Sequence, residues 1–105
     1  MLVLTRKRGE TVMIKAPGVG LITLSVLWIG EDARIDVSGP EEVVAPRRGR
    51  YQVGDVMEIR VPGQEVIEVV VMEISGSVRI GFDAAPEIAI DREEIYRRKL
   101  EEVQA

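Results

Sequence analysis

Three consecutive cations, Arg6, Lys7 and Arg8, close an apolar stretch at the start of the chain, "MLVLTRKRGETVMI". Cations at the end of a strand can form a local anion site or guard the strand edge against pairing with other chains. The remaining reactive side chains are paired carboxylates, Glu41-Glu42 and Glu93-Glu94. Adjacent strand residues point to opposite faces and no nucleophile accompanies either pair, so the pairs carry no acid–base or metal chemistry. The chain has no Cys and no His. Disulfides, thiolate metal sites, the usual zinc ligand and the usual general base are therefore missing. No enzyme activity, cofactor or metal site is expected.

The sequence of 105 residues suits one domain, and its net charge is −4. An acidic balance argues against a general polyanion binder, so any nucleic-acid site must be local. No apolar stretch reaches the roughly 20 residues that span a bilayer, and the N-terminus lacks the order of a signal peptide. A soluble, cytoplasmic protein without membrane contact is expected.

The elements that would position these residues recur. Shifted by 45 positions, the segment beginning "GETVMIKAPGVG" lies over the one beginning "GDVMEIRVPGQE" without a gap. Pro17-Gly18 then meets Pro62-Gly63, Arg34-Ile35 meets Arg79-Ile80, Arg47 meets Arg92 and Tyr51 meets Tyr96. Duplication is the economical reading, with repeat 1 over residues 1–52 and repeat 2 over residues 53–105. The two halves are expected to fold alike.

Alternation predicts strands in both. Ile22, Leu24, Val26 and Trp28 share one face, as do Ile67, Val69 and Val71; Ala33, Ile35 and Val37 are matched by Val78, Ile80 and Phe82. Pro-Gly fits the centre of a type II turn at 17–18 and 62–63, and Gly30-Glu31-Asp32 and Gly76-Ser77 mark further hairpins. Arg34 and Arg79 are read as outward cross-strand ion-pair partners. At the C-terminus, Asp91 and Glu94 have capping-box spacing, which predicts a helix from about residue 92 with Ile95, Tyr96, Leu100 and Val103 as its apolar stripe. Arg97-Arg98-Lys99 reads as a solvated helix face, with Glu94 and Arg98 as an i,i+4 pair.

The opening "MLVLTRKRGETVMI" and the later "VRIGFDAAPEIAIDREEIYRRKLEE" resemble the carbon storage regulator family of bacterial RNA-binding translational repressors. The resemblance implies an all-β fold with a short C-terminal helix: two interleaved antiparallel sheets, like the family dimer, here formed by a tandem repeat in one chain. A monomeric pseudo-dimer is then expected rather than a homodimer. It implies recognition of GGA-type hairpin loops in mRNA 5′ leaders near ribosome-binding sites, or in small regulatory RNAs. Carried over by position, the RNA-binding residues are Leu4, Thr5, Arg6 and Lys7 of the first strand with Ile88, Ala89, Ile90, Asp91, Arg92 and Glu93 of the last. Single-stranded loops expose base edges, and guanine offers two acceptors to a cation.

Two departures from the pattern bear on function. Asp91 and Pro46 stand where the family usually has His before the last-strand Arg. "RRGRYQ", residues 47–52, replaces the apolar first strand of repeat 2 and reads as too polar and Gly-interrupted to pack the same way. A second site built on Val43, Val44, Arg47 and Arg50 is therefore expected to be degenerate, leaving one intact site. The alternative reading is a duplicated protein-interaction module or antagonist that has lost RNA binding. The resemblance also implies the family's flagellar-assembly antagonist protein as a partner.

Overall fold

A computed structural model describes residues 1–104. Nine strands precede one helix: β1 (Leu2–Arg6), β2 (Thr11–Ala16), β3 (Gly20–Ile29), β4 (Ala33–Ser38), β5 (Arg48–Tyr51), β6 (Val56–Ile59), β7 (Ile67–Ile74), β8 (Val78–Asp83), β9 (Ala89–Arg92) and α1 (Glu93–Gln104). They form two antiparallel sheets, ordered β1-β8-β7-β6 and β5-β4-β3-β2-β9. The sheets are interleaved. β1, from the start of the chain, joins strands of the second half, while β9 joins strands of the first.

The alternation read from the sequence is the alternation that is buried. Ile22, Leu24, Val26, Ile35 and Val37 from one sheet and Ile67, Val69, Val71, Ile80 and Phe82 from the other enter a single core. Both Pro-Gly turns form as predicted. Gly18 and Gly63 take φ of 75° and 74°, which the third position of a type II turn requires, and the turns close through Val19 N–H to Ala16 and Gln64 N–H to Val61, each 3.1 Å.

Backbone geometry recurs at the 45-residue offset. Gly9 N–H donates to the Val26 carbonyl and Gly54 N–H to the Val71 carbonyl, both at 2.7 Å. Register shifts fall between Val26 and Trp28 and between Val71 and Glu73. These bulges correct the expected face of Trp28. The extra residue breaks the two-residue period, so Trp28 turns outward and is 45% exposed.

Two further expectations give way. Arg48–Tyr51 of "RRGRYQ" does pack as a strand, with Arg50 opposite Arg34 in the register that sets Thr5 opposite Arg79. Ladder bonds come from the backbone, so polar side chains do not prevent pairing at an edge; Gly49 leaves room for the Tyr51 ring, whose atoms lie 3.1 Å from where a Cβ would stand. Asp91, in turn, is not the helix cap. It pairs with Met13 within β9, and both its carboxylate oxygens accept from Lys99 Nζ at 3.1 Å.

Candidate nucleic-acid interface

β1 is the edge of the four-stranded sheet and β9 the edge of the five-stranded one. Their C-terminal ends are tied by Arg6. Its guanidinium donates to both oxygens of Glu94, the second residue of α1, at 2.9 and 2.8 Å, to the Thr11 carbonyl of β2 at 3.2 Å and to the Thr5 carbonyl at 3.1 Å. Glu10 lies 3.8 Å away. Arg6 is only 4% exposed, the one buried charged residue among the described residues. Its pKa is raised, chiefly by the Glu94 hydrogen bond, and the Glu94 carboxyl is lowered to about 2, first by Arg6. A buried cation needs such partners, because desolvation without them would cost several kcal/mol, on the order of the penalties for buried ions.

The two predicted groups of contact residues thus lie along adjoining edges, tied at one end by Arg6, though their side chains divide. Leu4 and Ile88 enter the core and Arg6 is committed to Glu94. Contacts made by these three to a ligand would use strand backbone. Thr5, Lys7 and Ala89 are exposed, and Ile90, Asp91, Arg92 and Glu93 are half-buried. Lys99 offsets the Asp91 charge and Arg97 lies 3.6 Å from Glu93, which replaces the expected Glu94–Arg98 pair. A groove of about 310 Å³ joins the two edges further along, lined in part by Met1, Leu2, Ala85, Pro86, Ile88 and Ile90.

Arg8 stacks over the exposed Trp28 ring, 4.4 Å from its centroid. Arg79 makes its predicted cross-strand pair, 3.4 Å from Glu73, whereas Arg34 stands opposite Trp28 and Arg50. Glu94, Glu10 and Trp28 were not legible as parts of this site. Arg6 and Glu94 are 88 residues apart, and no local pattern links them.

The second candidate site is built differently. Tyr51 stands where the offset would put Arg6, and burial, with Asp55 adding to it, raises its phenol pKa. Val43 is buried, Val44 bonds Arg60 in an isolated bridge, and Arg47 and Arg50 are exposed. The residues are close in sequence but make no counterpart of the Arg6–Glu94 tie.

Among the described residues no helix is long and apolar enough to cross a membrane. No solved structure matches the chain. Residues 52–101 match the model of the CsrA family, described as a global regulator protein family. The matched segment carries β6 to β9 and most of α1, including the "RIGFDAAPEIAIDREEIY" strand-and-helix unit on which the resemblance rests. This segment belongs to the carbon storage regulator family of global regulators.

Proposed function

We propose that the chain is a post-transcriptional regulator that binds GGA-type hairpin loops near ribosome-binding sites and represses translation through one intact site. The observation that carries this reading is the junction of β1 and β9 across the Arg6–Glu94 pair, which sets Thr5, Lys7 and Arg92 at one end of two adjoining strand edges. Arg6 acts there as a positioning residue, holding the strand ends in place. Lys7 and Arg92 supply positive charge, and strand backbone supplies directional donors and acceptors for base edges.

The chain is a tandem pseudo-dimer in this reading, supported by the backbone bonds and bulges that recur at one offset. A covalent link then replaces subunit association. Titration of a short GGA-loop hairpin, with a scrambled-loop control, tests the proposal: one hairpin per chain and a clear preference for the GGA loop are expected. Equal binding of both loops, or none of either, would refute it. Light scattering should give the monomer mass.

A further inference from the structure

The four-stranded sheet is short of the strand that its counterpart has. In the five-stranded sheet β9 runs along β2, with Asp91 opposite Met13 and Ala89 opposite Lys15. At the same offset, Val44 lies opposite Arg60 and the two exchange both backbone bonds, at 3.0 and 2.8 Å. The ladder then stops as an isolated bridge. Antiparallel bonding pairs recur every second residue, so the next pair would set Glu58 opposite Pro46. Proline has no N–H to donate to the Glu58 carbonyl. The chain leaves the ladder there, and the outward N–H and C=O of Glu58 and Val56 face an open edge.

Beside that edge lies a groove of about 730 Å³, its apolar lining drawn from Val44, Ala45, Pro46, Tyr51, Val56 and Met57. Val44 and Val56 are 64% and 57% exposed. Its charged lining is Glu58, Glu68 and Arg60, and Arg60 is held by Glu58 at 3.0 Å. Unpaired backbone groups call for a strand, the valines and Met57 for apolar side chains, and the carboxylate excess for a cation. An RNA backbone would meet those carboxylates with like charge.

We propose that the β6 edge is a strand-addition site for an extended, apolar segment of a partner protein carrying Lys or Arg, which completes the sheet that Pro46 leaves open. This does not rest on RNA binding at the opposite end. The test is an NMR titration of the ¹⁵N-labelled full chain with a capped hexapeptide of alternating Lys and Val, and with a Glu/Val counterpart. The Lys/Val peptide should shift the amides of Val56 and Glu58 and slow their hydrogen exchange, and the Glu/Val peptide should bind about tenfold more weakly or worse. Pro46→Val, which lets the chain's own segment continue the ladder, should protect Glu58 without peptide and weaken peptide binding by about tenfold. Val56→Lys, at a surface position, should weaken it similarly by charge. Silent Val56 and Glu58 amides, unchanged affinity in both variants, or a hairpin RNA that shifts these amides in place of the peptide would each overturn the proposal.

Discussion

Arg6 and Glu94 meet in a two-pronged ion pair that joins the end of the first strand to the first turn of the only helix among the described residues. The cation is buried and the carboxylate is partly exposed, so the two partners are not equivalent. Removing Glu94 leaves a desolvated guanidinium with only two carbonyls and a more distant Glu10. Removing Arg6 leaves a carboxylate that water can reach.

Glu94→Ala should therefore destabilise the fold by about 1–3 kcal/mol, the cost of leaving a buried donor group short of its partner. Urea unfolding curves would show a lower midpoint with little change in slope.

The pair should also set an acid limb. The folded-state pKa of Glu94, about 2, lies below the ordinary carboxylate value of roughly 4.3. Its contribution is complete above the unfolded value and is lost as pH falls toward the folded one. The stability difference between the natural chain and Glu94→Gln should be largest above about pH 5 and vanish near about pH 2, as followed by circular dichroism in urea at each pH.

Arg92→Ala should weaken hairpin binding by about 1–3 kcal/mol, the scale of one good bidentate contact, while Arg47→Ala should change it little. Isothermal titration of both variants separates the two ends of the molecule. Equal losses would mean that both sites bind alike.

Few cations face the proposed RNA, so the salt dependence should be shallow. A single strand gives about −0.7 in log–log slope per phosphate neutralised, hence roughly −1 to −3 in total. Preference for the GGA loop should persist at higher salt, because base-edge contacts are short-ranged. Titrations at several salt concentrations measure both.

The single Trp of the chain lies under Arg8, next to Lys7. A phosphate that draws Arg8 off the ring should change Trp28 emission, and Arg8→Ala should shift the unbound spectrum toward the bound one. A cation–π contact at an exposed position is worth only about 0.5–1 kcal/mol, so the exchange is energetically accessible.

Much of this architecture was legible because its causes are local. Alternation fixed which face of Ile22–Val26 and Val78–Phe82 is buried, and Pro-Gly fixed two turns through a positive φ. Where the cause lies elsewhere in the chain, local reading failed. Trp28 turned outward because a bulge inserts one residue against β4. "RRGRYQ" became a strand because β4 offers it a backbone ladder. The spacing of Asp91 and Glu94 predicts a capping box, yet both carboxylates meet cations instead, Lys99 for Asp91 and Arg6 for Glu94. The candidate site was found by position along two strands, but position could not say that Leu4, Arg6 and Ile88 turn away from solvent.

Interleaving also constrains the order in which the molecule can be made. Leu4 pairs with Ile80, so β1 leaves the ribosome without a partner until the strands between it and β8, and β8 itself, have followed. At about 5–20 residues per second, that wait is on the order of 4–15 s. Sheet-forming contacts so far apart in sequence also close slowly. Throughout this interval the nascent chain carries an unpaired apolar strand, and the cations that end it, Arg6, Lys7 and Arg8, keep that strand from joining a neighbour's.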